Sequence, residues 1–443
     1  MRCWLIAGLW LAGGWIGGGR LPAEVWTPEQ MLQMKRVGMV VPSPDGTAVA
    51  YTVRQAIVDA NRSEYLTQIF VARADGSQRR QLTRSNVSSD SPRWSPDGKQ
   101  IAFLSARSGR QAIWVIPVDG GEAELLVEMR TPVQSFAWSP DGRWIALTAI
   151  DPPSAPEEMA ARAKADVRVL DESEKYSRLY VVPTQGDKPK SNAARLLTPG
   201  NRHVTPDSFD WSPDSQHLVY SHTRSGRADD WTTADIAVVH LATGEVRSLA
   251  ATPAAELTPK FSRDGQLIAF VKSDNPPTWA QSGRVHVMKS DGSQPRPLAP
   301  TADERPTLFG WSPDQSAVLC GEVERTVSRL FWLPLEGSPK PFSTWEGAAS
   351  GNVFLSVDGR KVGFVWEFMD RPVEGYLTPT AEFRPSNVTA LHADFNRPVP
   401  KTEVIRWKSR DGLEVEGLLT HPMNCATNRR SPLLVIIHGG PAG

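Results

Sequence analysis

The sequence predicts an all-β fold, a seven-bladed β-propeller, and three observations carry that reading. A turn of the Ser-Pro-Asp-Gly type recurs seven times, starting at Ser43, Ser95, Ser139, Ser212, Ser262, Ser312 and Ser356. Serine at the first position, proline fixing φ at the second and glycine leaving at the fourth are the preferences of a type I turn. After each turn bulky residues alternate with mostly smaller ones, as in Val49/Tyr51 around Ala50, Ile145/Leu147 around Ala146 and Ile268/Phe270 around Ala269. That period of two belongs to a pleated strand. The copies stand 44 to 52 residues apart, with one gap of 73, which is the spacing of four-stranded blades around a ring. A large face opposed to a small one suits sheets stacked radially on their neighbours. An all-β sandwich would not explain tryptophan before four of the seven turns, at Trp94, Trp138, Trp211 and Trp311.

Taken in order, residues 1–23 read as a secretory signal peptide: Met1-Arg2, an apolar run from Cys3 to Ile16, then Leu21-Pro22-Ala23. The run is short and glycine-rich for a spanning helix, so the expectation is an exported protein with no stable membrane insertion after cleavage, an uncleaved anchor being the alternative. Residues 24–38 form an N-terminal helical segment, with Thr27 as N-cap, Pro28 in the first turn and Gln30 as capping-box partner. That helix should reach about Arg36. The propeller then occupies 39–400. Hairpin signals follow the second strand of several repeats, at Asp75-Gly76, Asp119-Gly120 and Asp291-Gly292.

The long gap holds an insertion, Pro153 to Lys175, charged and helix-prone. Its Glu157-Glu158 pair could hold a substrate's ammonium group through charge-assisted hydrogen bonds. Adjacent helical positions point about 100° apart, however, and acidic residues suit a helix N-terminus for the dipole alone. Both readings stand at this point.

Beyond Pro398 the repeat ceases. Val404 to Leu419 reads as a hairpin turning at Asp411-Gly412, and Pro432 to Ile437 as a continuous apolar strand buried on both faces. The chain then reads His438-Gly439-Gly440-Pro441. Residues 401–443 are therefore expected to be the beginning of a second, α/β domain.

The 49 basic residues balance the 49 acidic ones, so total charge points to no nucleic-acid partner. Cys3, Cys320 and Cys425 show no metal-ligand or redox spacing; Cys320 and Cys425 are expected to be buried free thiols, a pair between them being the alternative. None of the eight histidines shows zinc-peptidase spacing. The expectation is no metal and no cofactor, and the oligomeric state is open.

The seven turns, the Asp-Gly hairpin and the apolar strand into His-Gly-Gly-Pro together resemble the prolyl oligopeptidase family of serine peptidases. The text from Ala165 to Val182 is similar to its acylaminoacyl-peptidase and dipeptidyl-peptidase-like branch. The resemblance implies a propeller with WD40-like, TolB-type repeats, gating access to an α/β-hydrolase half. It implies short peptides as substrates, with release of an amino-terminal dipeptide or acyl-amino acid. It also implies that His438, Gly439 and Gly440 belong to the loop whose backbone N–H groups face the oxyanion. The family's Ser, Asp and His come later in the chain, and no serine here has glycine two residues before and two after it; Ser312, with Gly310 before and Asp314 after, comes nearest. The sequence as it stands is thus expected to lack the triad and to be inactive alone, as an amino-terminal part of such a peptidase. The alternative is a non-catalytic exported propeller that binds a peptide or protein partner, as TolB-type propellers without a hydrolase half carry the same repeats.

Overall fold

The computed structural model describes residues 26–165, 174–186, 193–279, 281–349, 353–395, 397–423 and 431–437. The segment read as a signal peptide lies outside them, as do Cys3, Cys425 and the His438-Gly439-Gly440 loop. Among the described residues, seven antiparallel sheets follow one another along the chain. Blade 1 comprises Arg36–Pro42, Ala48–Val58, Ser63–Arg73 and Arg80–Gln81. Blades 2 to 7 cover 89–127, 133–196, 203–250, 256–297, 307–341 and 348–387. In blades 1 to 6 strand order equals chain order. In blade 7 the first strand is split into Ala348–Ala349 and Phe354–Leu355, both paired with Lys361–Phe368.

The repeated turn is built the same way in every blade. The serine hydroxyl donates to the aspartate, as in Ser43 Oγ to Asp45 Oδ1 at 2.6 Å and Ser139 Oγ to Asp141 Oδ1 at 2.6 Å. The same hydroxyl accepts the N–H that re-enters the next strand, from Ala48 at 2.9 Å and from Trp144 at 3.0 Å. One side chain therefore closes the turn from both ends. The fourth position needs a left-handed backbone, φ +70° at Gly98 and +71° at Gly142. Two copies place a larger residue there, Ser215 (φ 60°) and Gln315 (φ 61°). Both use the side chain to accept an N–H from the preceding blade's turn, Asp141 N to Ser215 Oγ at 3.1 Å and Asp264 N to Gln315 Oε1 at 2.9 Å. A bond between blades thus accompanies the backbone strain of a non-glycine residue.

The two faces of each second strand pack on different neighbours, as the large and small alternation implies. Ile145 and Leu147 join blade 2 around Ile113, Val115 and Val127, whereas Ala146 joins blade 4 beside Trp211 and Leu218. Ile268 and Phe270 pack on blade 4 with Val219 and Val238, and Ala269 on blade 6 with Val318 and Phe331. The last blade meets the first in the same way: Val365, Leu377 and Val388 share a core with Val37, Val49 and Tyr51. At this seam Gly363 lies so close to blade 1 that a Cβ would stand 2.3 Å from the Val40 carbonyl oxygen. Among the described residues no sheet combines strands from both ends of the chain, so side-chain packing holds the described ends of the ring together.

Two boundaries differ from expectation. Helix α1 spans Pro28–Gln33, with the Thr27 and Gln30 capping box formed, but ends before Arg36 because Met34 is already extended. Arg36 instead opens the first strand. Residues 432–437, expected as a buried strand, form none in the structure: Leu434, Ile436 and Ile437 are more than 80% exposed. Without sheet neighbours on either side, an apolar run has nothing to pair with. The hairpin does form, Thr402–Lys408 against Glu414–Thr420, as a separate two-stranded sheet.

Candidate functional site: the channel and the hairpin-loop face

Strands alternate in direction along each blade, so the repeated turns share one face of the ring and the hairpin loops between second and third strands share the other. The first strand of each blade lines the middle. Two residues before each repeat serine, the seven blades contribute one layer: Val41, Arg93, Ala137, Asp210, Lys260, Gly310 and Phe354. Three of the seven are charged. Arg93 of blade 2 lies 5.0 Å from the Phe354 ring of blade 7, and its charge is felt with that of Asp207 of blade 4. Those blades are not neighbours, so these interactions cross the centre of the ring. Burial holds the Arg93 guanidinium below its usual range, with Asp207 and Asp90 pulling it back up.

Asp210 and Lys260 stand side by side in adjacent blades, Nζ 4.0 Å from Oδ1, while Asp210 Oδ2 accepts the Phe261 N–H at 2.9 Å. Burial raises the Asp210 carboxyl, and Lys260 opposes it. Backbone carbonyls of the same layer receive indole N–H groups from the following blade: Trp94 to Val41, Trp211 to Ala137 and Trp311 to Lys260, at 3.0 to 3.3 Å. Trp138 Nε1 is buried without a hydrogen-bond partner. Sequence reasoning missed the charged layer, although its signal was present: Arg93, Asp210 and Lys260 each immediately precede the aromatic residue before a turn.

On the hairpin-loop face, the insertion after Ile150 forms helix α2, Ala155–Arg162. Asp151 anchors its start through a two-point pair with Arg178, both contacts at 2.9 Å. Glu157 takes Lys175 Nζ at 2.6 Å and both the hydroxyl and N–H of Ser154, and the Lys175 bond chiefly lowers its carboxyl to about 2. Glu158 pairs with Arg130 at 2.7 Å. The structure therefore places the two candidate glutamates on one short helix, each with a cationic partner in the chain. Glu174 pairs with Arg227 of blade 4 at 2.7 Å, tying the insertion's far end to the next blade.

The hairpin after the ring attaches to this same face. Arg325, in the loop of blade 6, reaches Glu414 at 2.8 Å and Glu416 at 3.0 Å, and Thr326 Oγ1 donates to Glu416 at 3.1 Å. Trp26 before α1 stacks on Phe395 after blade 7, centroids 5.9 Å apart, which brings both ends of the ring segment together. Val404, Ile405, Trp407 and Leu418 of the hairpin stay exposed. Among the described residues no group of three or more His, Cys, Asp or Glu side chains could hold a metal ion, and no helix is long and apolar enough to cross a membrane. Cys320 is buried and unpaired.

Comparison with known proteins follows the same outline. Residues 38–175 match the TolB β-propeller domain model. Dipeptidyl-peptidase 5 of Porphyromonas gingivalis is 25% identical over 444 residues, covering 96% of this chain and 64% of that protein. The chain therefore spans less than two thirds of that relative's length. Dipeptidyl-peptidase 5 of Porphyromonas endodontalis is 38% identical over 96 residues, 21% of this chain and 14% of that protein. Among solved structures, the acylaminoacyl peptidase of Pyrococcus horikoshii superposes with a TM-score of 0.69 at 17% identity, over 92% of this chain and 61% of that one. The β-propeller domain of the trilobed protease from Pyrococcus furiosus, described as having an open velcro topology, superposes at 0.57 with 16% identity, over 80% of this chain and 98% of that one.

Proposed function

We propose that this chain, which carries the propeller part of prolyl oligopeptidase-family peptidases, serves as the access ring of an exported serine peptidase. Its substrates on this reading are short peptides, from which an amino-terminal dipeptide or acyl-amino acid is released. The observation that carries the reading is the hairpin 402–420. It stands outside the seven sheets, tied to the hairpin-loop face by Arg325, and leads into the exposed apolar residues 433–437. Such a run calls for burial against a further body, which the hairpin would hold over the channel mouth. The charged layer at Arg93, Asp210 and Lys260 then restricts what passes through the ring. His438, Gly439 and Gly440 are assigned to the oxyanion loop of that body, and the 443 residues by themselves are assigned no turnover.

The test compares the product of the complete reading frame with the 443-residue chain on dipeptidyl and N-acyl-aminoacyl nitroanilides. Turnover by the first and none by the second is expected. If the complete product turns over neither class while the ring binds peptides, the reading gives way to a non-catalytic peptide-binding propeller.

A further inference from the structure

A cleft of about 380 Å3 opens between the connection leaving blade 5 and the outer strands of blade 6. Thr301 and Ala302 form one wall, and Phe331, Pro339 and Pro341 the other, with Glu322 among the lining side chains. The volume lies in the range that holds a small organic molecule. Its lining joins this apolar surface to the polar side chains of Glu324, Arg329 and Ser343, and it includes Glu322, a carboxyl-bearing residue only 7% exposed. Oε1 accepts the N–H of Asp303, whereas Oε2 is buried with no hydrogen-bond partner.

The surrounding charges do not neutralise this group. Arg329, its cross-strand neighbour, reaches Glu324 at 3.8 Å and Glu346 at 3.1 Å instead. Asp303 and Glu324 add negative charge beside it, and the Cys320 thiol on the same strand brings none of the opposite sign. Burial pushes the Glu322 carboxyl above its usual range, with Thr301 and the Asp303 amide drawing it back. A buried carboxylate that meets only neutral donors, the Asp303 amide and the Thr301 hydroxyl, is costly to keep ionised, and a cation supplying a charge-assisted hydrogen bond removes that cost.

We propose that this cleft is a binding site for a small organic cation, a protonated amine carried on an apolar or aromatic body. The ammonium meets Glu322 Oε2, and the body lies along Phe331, Pro339 and Pro341. The site sits at the ring's outer edge and does not depend on the peptidase reading.

The test titrates the 443-residue chain with phenethylammonium and with its neutral analogue 3-phenylpropanol, followed by calorimetry. The ammonium should bind at least tenfold more tightly, and Glu322→Gln should erase that preference. Equal affinity for the two probes, or a preference that survives Glu322→Gln, overturns the proposal. Should Glu322→Gln fail to fold, Ala302→Trp at the cleft wall should abolish ammonium binding, and unchanged binding in that variant counts equally against it.

Discussion

The ring and the segment that follows it are built from the same apolar alphabet and end in opposite states. Second strands of the ring, such as Leu267–Ser273, bury Ile268, Ala269 and Phe270 between two neighbouring blades. Leu433 to Ile437 are as apolar, yet each is at least 66% exposed. The difference is one of company. A blade strand has sheet neighbours on both edges and a blade on both faces, whereas the later run has neither. Apolar content alone does not bury a strand; repetition of the surrounding unit does.

Substitutions can break this contrast, and the largest effect belongs in the ring. Phe270→Ala should cost about 3–5 kcal/mol of stability in chemical denaturation, while Ile436→Ala should stay within about 0.5 kcal/mol. Similar losses at both positions would show that the tail is packed after all. A second effect is pH-dependent and confined to the ring. Burial lowers the pKa of His222 to about 4, and Arg202 adds to the shift. The folded state therefore favours the neutral ring, so its contribution is complete above the ordinary histidine pKa of about 6.5 and is lost as pH falls from there toward 4. His222→Leu should flatten the fall in melting temperature across that window; an unchanged slope assigns it to other groups.

Smaller effects sharpen how blades hold one another. Trp94→Phe removes the indole bond to Val41 and should cost about 1 kcal/mol beyond the packing change. Trp138→Phe, where the indole N–H has no partner, should cost less, and the difference between the two melting curves isolates the bond. Least of all for the ring, Arg325→Ala should leave its melting temperature unchanged. It should nevertheless speed hydrogen exchange in 402–420, since Arg325 and Thr326 hold the hairpin to blade 6. Unchanged exchange would mean that these ion pairs do not keep it in place.

Much of the ring was legible because its information is local. A serine that bonds two residues ahead and five residues ahead writes the turn into a six-residue stretch, and the period of two after it names which side chains meet which blade. The end of α1 was misplaced by three residues because Met34 turns extended with no proline or glycine to signal it. The channel layer could have been found by aligning the residues two before each serine, since its charged members share that position. The cleft at Glu322 could not. It joins Thr301 of one connection to Phe331 and Pro341 of another blade, and no repeated spacing in the chain picks these residues out together. Glu157 and Glu158 show the converse: the pair was visible, but its cationic partners Lys175 and Arg130 lie 18 and 28 residues away.

The seam between blades 7 and 1 has a mechanical consequence. Where Gly363 presses on Val40, side chains touch and Arg79 Nε donates to the Val388 carbonyl at 3.1 Å, but among the described residues no strand is shared. Parting the two there would leave every ladder of every sheet intact. The molecule is thus a split washer, in which widening at the gap costs contacts across one interface while each blade keeps its own shape.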